Sequence, residues 1–380
     1  MNPALDRSDV VGQIKIGISA NALKHGGGLE RYAMDLVRGL AARGVEPAFF
    51  ARQFDRELPE SQLVRPHRIL VSFLPGKLRD VWFSWRLRAM RRNAGVDVLI
   101  GCNRVDASEL AICGGTHRGF LAAVGRAPKR SDAWQIALES RQYARASVVV
   151  AHSMQMREEL MRLYGVDDAK IRVLYPPVDR ARFTPCEPGV RSALRRRFGF
   201  ADDEIVLLFP SSSHERKGLP LIEQALRATT LPVVVAVAGR PVESTNSRIR
   251  YIGYVKDIED CYRAADFTIL ASKYEPFGLV GIESVMCGTP VVLSANIGCC
   301  DAIADHAKFV FAPNDAKDLH ATLTRAVDAL RRNKSGSEVQ LSGQSVNYDV
   351  SVAGHVDALL ALAGRIDLER RAGHSPVSSS

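Results

Sequence analysis

Long apolar runs are missing from this sequence. No stretch of its 380 residues approaches the ~18 consecutive apolar residues that a membrane-spanning helix needs. The beginning also has no apolar stretch of signal-peptide length before the first strand-like run. We therefore expect a cytoplasmic protein, either free or held peripherally at the inner face of the cytoplasmic membrane.

Paired cysteines are missing as well. The seven cysteines are odd in number, and they have none of the spacings typical of zinc sites or disulfide frameworks. They are Cys102, Cys113, Cys186, Cys261, Cys287, Cys299 and Cys300. The pattern predicts reduced thiols and no bound metal.

Aromatic residues are few, at 7% of the chain, and they do not alternate with basic residues along a base-stacking platform. This argues against a nucleic-acid binder. The formal net charge of +9 nevertheless indicates a surface that attracts anions, such as a phosphorylated substrate or an anionic membrane face. Charge alone does not choose between these partners.

Length and pattern together predict two α/β domains. A chain of 380 residues exceeds the roughly 250 to 300 residues at which one core stops growing. Strand-like runs rich in β-branched residues alternate with helical patterns, which is typical of βαβ units around parallel sheets. The predicted strands are 14–18, 47–50, 96–101, 110–113, 148–151 and 171–174, and then 205–209, 233–238, 250–253, 267–270, 291–293 and 308–311.

A basic, proline-bearing stretch at 179–197 separates the two series of strands and predicts a domain connector, in which Arg195, Arg196 and Arg197 are expected on a solvated helix face. A Ser/Gly-rich stretch at 333–345 predicts a linker before a last apolar, helical pattern. The predicted division is a first domain at 1–178, a second domain at 200–332, a helix at 346–364 that joins the first domain, and a disordered tail at 365–380.

The segment from Tyr274 to Glu283 is the most informative part of the chain. It places one carboxylate, Glu275, in a loop and a second, Glu283, in a helix that stops at Gly288 and Pro290. Counting back over the apolar run puts the helix start near Gly278. The free amides and positive dipole end of such a start attract phosphate oxygens, and carboxylates suit a polyhydroxylated ligand.

These residues resemble the family-4 retaining glycosyltransferases of the GT-B fold, whose hallmark is two glutamates separated by seven residues. Glu275 and Glu283 match that spacing. The resemblance implies an α/β fold with two Rossmann-like domains facing a cleft. It also implies that Glu275 binds sugar hydroxyls and that Glu283 binds the ribose hydroxyls of the donor.

A second matching segment follows the strand that opens the second domain. It contains Arg216, Lys217 and Gly218, and it resembles the diphosphate-binding segment of the family. Two cations there would neutralise the leaving diphosphate, as Mg²⁺ does in other enzymes. The sequence has no Asp-X-Asp metal signature. We therefore expect no metal and no cofactor.

Two further segments of the first domain match the family. The glycine-rich loop before the first helix holds Gly27 and Gly28, and the loop after the strand at 110–113 leads to His117. His117 is our candidate beside the transferred sugar, together with Glu275. The implied donor-binding residues are Arg216, Lys217, Glu283, Gly27, Gly28, Phe277, Gly278, Leu279 and Val280.

The resemblance makes the first domain the acceptor-binding domain and the second the donor-binding domain. The most similar-looking members are lipopolysaccharide-core glucosyltransferase I enzymes, which implies transfer of a hexose from a UDP-sugar to a lipid-linked envelope glycan. A nucleotide-sugar epimerase of the non-hydrolysing GT-B type is an alternative, and a non-catalytic binder of anions is another.

One basic stretch stands apart from these motifs. Residues 77–92, from Lys77 to Arg92, hold six cations, one acid and two of the three tryptophans. The stretch fits either a core-packed helix with a solvated basic side or an interfacial helix that contacts anionic lipid. At helical spacing one apolar face would comprise Leu78, Val81, Trp82, Trp85 and Ala89.

Overall fold

The computed structural model describes residues 14–334 and 345–373. The chain forms two compact units, the first running to Pro177 and resuming at Asp349, the second covering Val178–Tyr348. Each unit has one main parallel sheet with helices packed against it, which confirms the predicted α/β class with two Rossmann-like domains. None of the helices in the described residues is long and apolar enough to cross a membrane.

The first unit contains a seven-stranded parallel sheet in the order β5-β3-β1-β6-β7-β8-β9, beside a small β2-β4 pair. Its strands are β1 (Ile16–Ser19), β2 (Ala22–Leu23), β3 (Ala48–Ala51), β4 (Gln53–Phe54), β5 (Arg65–Arg68), β6 (Val98–Gly101), β7 (Leu110–Cys113), β8 (Val148–Ala151) and β9 (Ile171–Val173). Edge strand β5 was not predicted, because its sequence, Arg-Pro-His-Arg, lacks the apolar residues that mark a strand. A proline there is tolerated at a sheet edge.

The helices of the first unit connect these strands. They are α1 (Gly28–Ala41), α2 (Arg79–Asn93), α3 (His117–Ala123), α4 (Arg130–Arg145) and α5 (Met154–Tyr164). Helix α2 buries Phe83 and Leu87, which pack with Phe50 and Leu99 of the sheet. Trp85, on the predicted apolar face, is 57% exposed, so the sheet covers that face only in part. The spacing alone had left open whether this face packs on the core or contacts a lipid surface.

The second unit contains a six-stranded parallel sheet in the order β12-β11-β10-β13-β14-β15. Its strands are β10 (Ile205–Ser211), β11 (Val233–Gly239), β12 (Ile249–Gly253), β13 (Phe267–Leu270), β14 (Val291–Ser294) and β15 (Lys308–Phe311). Its helices are α6 (Pro188–Arg197), α7 (His214–Lys217), α8 (Leu219–Arg227), α9 (Ile258–Ala264), α10 (Leu279–Met286) and α11 (Ala316–Lys334). Every predicted strand of this half is present.

The predicted connector at 179–197 belongs to the second unit. Its helix α6 was expected to present Arg195 to solvent, and this was wrong, because Arg195 is buried. Its Nη1 donates to Asp266 Oδ2 at 3.1 Å, and Asp266 also accepts the Val206 amide of β10. The second unit therefore begins at Val178 rather than at residue 200, and it extends past residue 332 to Tyr348.

The last helix, α12 (Val352–Gly373), packs on α1 of the first unit. A Cβ at Gly39 would overlap Val356, so glycine allows the close approach of the two helices. Because α12 continues through Ile366, which is buried, the prediction of a tail starting at 365 was wrong. Residues 374–380 of that predicted tail, and 335–344 of the predicted linker, lie outside the described residues.

A group of three buried aromatic side chains joins α12 to the rest of the first unit. The Tyr32 hydroxyl is hydrogen-bonded to Nε2 of His355 at 2.8 Å, and the Tyr32 ring lies 4.8 Å from that of His152. Burial lowers the pKa of His152 to about 3, with a further contribution from His355, and lowers the pKa of His355 to about 4. These three residues, the histidine cluster, are therefore neutral near pH 7.

Candidate functional site

The loop after β10 turns sharply at Gly218. Helix α7 ends there with Arg216 and Lys217, and Gly218 has a φ of +85°. A Cβ at this position would overlap the carbonyl oxygen of Ala271, at the end of β13. Only glycine lets the two loops approach this closely. The amide of Lys273 also donates to the carbonyl of Arg216 at 3.0 Å, so the two strand ends are held together.

This approach brings Lys217 and Glu275 into direct contact. The Lys217 ammonium donates to Glu275 Oε2, and Ser272 Oγ donates to the same oxygen at 3.3 Å. The Arg216 guanidinium lies 3.9 Å from that oxygen. The side chains of Lys217 and Glu275 keep 11% and 16% of their surface exposed. Two cations thus face one carboxylate, and the local excess of positive charge can bind an anion.

A residue that the sequence analysis missed holds the Glu275 loop in place. Asn296 donates from Nδ2 to the carbonyls of Ser272 and Lys273, at 3.3 and 3.0 Å. The amide of Gly298 donates to the carbonyl of Glu275 at 3.1 Å. The loop after β14 therefore fixes the backbone that carries Glu275. The only sequence signal was an asparagine just after a strand.

Helix α10 begins where the sequence predicted, since Gly278 precedes its first residue, Leu279. Gly278 has a φ of +92°, and a Cβ there would lie 2.9 Å from Ile297. A Cβ at Gly281 would lie 2.7 Å from Cys299 Sγ, so the first turn of α10 packs tightly on the loop after β14. The start of α10 follows Glu275 by four residues, which places unpaired backbone amides near the two cations.

The other predicted carboxylate, Glu283, is buried inside the second unit. Its Oε2 accepts a hydrogen bond of 2.9 Å from the hydroxyl of Tyr262 on α9, which is fully buried. Tyr262 is a second residue that the sequence analysis missed. Among the nearby predicted residues, Phe277 is buried, whereas Leu279 and Val280 are partly exposed.

In the first unit, the glycine-rich loop leads directly into α1. Gly27 precedes the helix and Gly28 is its first residue. A shallow depression lies beside this loop, and it is lined by Ala20, Asn21, Ala22, Leu29, Glu30 and Cys102. These residues follow the carboxyl ends of β1 and β6, where ligands of open α/β sheets bind.

His117 begins α3 and is held on several sides. Its Nε2 donates to Asp132 at 2.8 Å, and its backbone amide donates to Glu139 at 2.9 Å. The Arg126 guanidinium, the Lys129 amide and His117 hold the pKa of Asp132 well below its usual range. A Cβ at Gly114 would lie 3.4 Å from Leu29, so the His117 loop and the glycine-rich loop adjoin each other.

Within the second unit, the structure thus brings Arg216, Lys217 and Glu275 together and places the start of α10 beside them. Within the first unit, it places Gly27, Gly28 and the His117 loop at the same edge of the sheet. The first group combines cations, a carboxylate and free amides, which suits a phosphorylated, hydroxyl-rich ligand. The second group offers a glycine loop and an oriented histidine.

Comparison with known proteins gives two matches to protein families. Residues 26–182 match Glycosyltransferase Family 4, and residues 190–335 match Glycosyl transferases group 1. A probable transglycosylase of Burkholderia thailandensis is 68% identical to this chain, over 94% of the chain and 99% of that protein.

Solved structures agree with these matches. WaaG, a glycosyltransferase involved in lipopolysaccharide biosynthesis, aligns with a TM-score of 0.71 at 17% identity over 93% of this chain and 98% of its own. Anabaena HepE, solved with UDP and glucose, aligns with a TM-score of 0.66 at 15% identity over 96% and 100%. At these identities the likeness shows the fold alone, which is GT-B.

Proposed function

Because this chain belongs to the glycosyltransferases of family 4, we propose that it transfers a sugar from a nucleotide-diphosphate donor with retention of configuration and without a metal ion. The observation that carries the proposal is the contact of Lys217 with Glu275, with Arg216 beside it. A donor would exchange this ion pair for two of its own contacts, phosphate on the cations and sugar on the carboxylate.

The leaving diphosphate is the group that most needs stabilisation, because it gains negative charge as the glycosidic bond breaks. Arg216 and Lys217 supply two charge-assisted donors, and the first turn of α10 supplies backbone amides with a positive dipole end. These groups are fixed before the reaction by Gly218 and Asn296, so little reorganisation is needed. This is the role that a metal ion plays in other transferases.

The sugar and the ribose are assigned to the two glutamates. Glu275 would accept hydrogen bonds from the hydroxyls of the transferred sugar, and Glu283 from those of the ribose. The hydroxyl of the acceptor would attack the anomeric carbon on the face from which the diphosphate leaves. The transition state is oxocarbenium-like, and the diphosphate takes the acceptor proton. His117, oriented by Asp132, would contact the transferred sugar. Gly27 and Gly28 would let backbone amides approach the donor.

We also propose the chemical class of the donor and of the acceptor. A UDP-hexose is supported by the HepE structure with UDP and glucose, and a lipid-linked envelope glycan, such as lipopolysaccharide core, by the likeness to WaaG. The enzyme would then act in the cytoplasm, at the inner face of the membrane that holds the acceptor. The domain built on residues 1–177 would bind that acceptor.

A turnover assay with UDP-glucose, with and without extracted lipid-linked core glycan, tests the proposal. We expect UDP release and a glycosylated product only when acceptor is present. Formation of an epimeric UDP-sugar without acceptor would instead identify an epimerase. Binding of UDP-glucose with neither reaction, across a panel of envelope glycans, would indicate a non-catalytic binder and contradict the proposal.

A further inference from the structure

Four large apolar side chains lie together on the surface of the first unit, near edge strand β5. We call Leu70, Phe73, Trp82 and Trp85 the aromatic patch. Leu70 is 56% exposed, Phe73 64% and Trp85 57%. The Trp82 ring joins them, with its centroid 5.5 Å from that of Phe73 and 5.0 Å from that of Trp85. A contiguous exposed apolar surface of this kind marks an interaction site.

The indole N–H of Trp82, the central ring of the patch, already has a hydrogen-bond acceptor within the protein. Trp82 Nε1 donates to the carbonyl of Leu70 at 3.2 Å, so this indole does not depend on solvent for its hydrogen bond. Phe83 and Leu87 anchor helix α2 to the sheet from its other side. Trp82 also packs against this core, whereas Leu70, Phe73 and Trp85 remain exposed beside a helix that is already anchored.

The segment that carries the patch is strongly basic. Residues 61–96 contain eight lysines and arginines and a single acid, Asp80, whereas the whole chain carries a formal net charge of +9. Asp80 accepts a hydrogen bond from Arg52, outside the segment. The segment that carries the patch therefore has a formal net charge of +7, eight cations less one acid.

The structure divides the arginines of α2 into two groups. Arg88 is paired with Asp106, and Arg91 with Glu109, so their charges are compensated inside the unit. Arg86 and Arg92 are exposed and have no acidic partner in the described part of the chain. The Arg86 guanidinium lies 5.8 Å from the centre of the Trp85 ring, at the edge of the patch.

We propose that the aromatic patch, with Arg86 and Arg92, is a docking surface for a bilayer containing anionic lipid. Tryptophan and phenylalanine would enter the headgroup region while the arginines contact lipid phosphates. A second copy of this chain does not fit, because two such surfaces would place like charges against each other. This surface would bring the enzyme to the membrane that holds the proposed lipid-linked acceptor. Only this purpose rests on the proposed function, because the docking surface is argued from its own residues.

Sedimentation of the full chain with vesicles tests the surface. We expect co-sedimentation with phosphatidylglycerol/phosphatidylcholine vesicles, little with phosphatidylcholine alone, and weaker binding as salt rises. Arg86→Gln should weaken binding about 5-fold, from about 1 kcal/mol for each cation at an anionic surface. Arg88→Gln, on the same helix with the same charge change, should alter it less than about 2-fold, because Asp106 already compensates that charge.

The aromatic contribution has its own control. The double variant Phe73→Ser/Trp85→Ser should lose most vesicle binding, whereas Tyr254→Ser, at an 85% exposed aromatic residue of the second unit, should keep it. Equal losses for Arg86→Gln and Arg88→Gln, or equal binding of wild type to both vesicle types, would overturn the proposal. So would wild-type dimerisation in light scattering that the Phe73/Trp85 variant abolishes.

The docking proposal and the proposed reaction can fail separately. UDP affinity in calorimetry, and transfer to an acceptor dissolved in detergent, need no bilayer and should be unchanged in the Phe73/Trp85 variant. Loss of vesicle binding with normal transfer in detergent supports the docking surface. If the wild type transfers sugar but does not bind vesicles, the docking surface is contradicted and the proposed reaction is not.

Discussion

Two polar clusters of this protein have opposite surroundings. Lys217, at the end of α7, meets Glu275 on a loop, and the two side chains keep 11% and 16% of their surface exposed, whereas Tyr32, His152 and His355 are buried in the first unit and join its last helix to the sheet. An ion pair that still reaches solvent can exchange its partners for a ligand. A buried neutral network cannot do so. The difference distinguishes the residues that we propose to bind substrate from residues that hold the fold.

The largest expected effect comes from changing the carboxylate of the Lys217–Glu275 pair. Glu275→Gln should lower turnover of UDP-glucose by roughly 10² to 10³, because a charged acceptor aimed at the sugar becomes a neutral amide. The thermal unfolding midpoint should stay close to that of wild type, since Gln has the size of Glu and keeps an oxygen that can accept the hydrogen bonds of Lys217 and Ser272. Turnover close to wild type in a steady-state assay would remove Glu275 from the mechanism.

Removing the cation of the same cluster should act on binding. Lys217→Ala is expected to weaken UDP binding by about 1.5 to 3 kcal/mol, the value of one charge-assisted hydrogen bond, and to weaken UMP binding less. Lys273→Ala is the matched control, because Lys273 is paired with Glu215 at the surface. Calorimetric titration that finds equal losses for UDP and UMP, or for both variants, would contradict the assignment.

The buried cluster should respond to pH instead of substrate. In the folded chain burial holds the pKa of His152 at about 3 and that of His355 at about 4, while the unfolded chain takes up protons near pH 6.5. Stability should therefore be complete above pH 6.5 and fall as the pH drops below it, until the folded pKa values are reached. Each histidine contributes up to about 1.4 kcal/mol per pH unit.

Urea unfolding between pH 7 and 4.5 measures this slope. His355→Gln should make it shallower, whereas His25→Gln, at an exposed histidine, should leave it unchanged. An identical slope in wild type and His355→Gln would show that the histidine cluster does not control acid stability.

The smallest expected effect lies at the residue that orients Glu283. Tyr262→Phe removes one hydrogen bond of 2.9 Å to that carboxylate, which is worth about 1.5 to 3 kcal/mol of stability, and it acts on ligand binding only indirectly, through the orientation of Glu283. If Glu283 binds the ribose, wild type should bind UDP more tightly than its 2′,3′-dideoxy analogue. In the Tyr262→Phe variant the ratio of the two dissociation constants should be smaller. A uniform loss of affinity for both ligands would indicate a purely structural role for Tyr262.

The local part of the candidate site could be predicted from the sequence. Glu275, Arg216 and Lys217 stand in short segments whose residue types and spacing carry their own signal, and glycine marked the start of α10 at Gly278. The parallel sheets followed from alternating apolar runs, because each buried strand must show one.

The remainder depended on contacts between distant parts of the chain. Asn296 holds a loop more than twenty residues earlier, and Tyr262 reaches Glu283 from another helix. Arg195 looked solvated because its partner, Asp266, lies 71 residues away. The sequence left the surroundings of Trp85 open, because its own helix cannot reveal which face meets the sheet. Local sequence patterns do not reveal such contacts between residues that are distant along the chain.

Retaining transfer without a metal is the central claim, and NMR of the product formed from UDP-glucose in excess EDTA tests it most directly. The account predicts an α-linked product in EDTA, at a rate close to that with Mg²⁺, because Arg216, Lys217 and the amides of α10 stabilise the diphosphate. A β-linked product, or turnover that vanishes in EDTA and returns with Mg²⁺ or Mn²⁺, would contradict it.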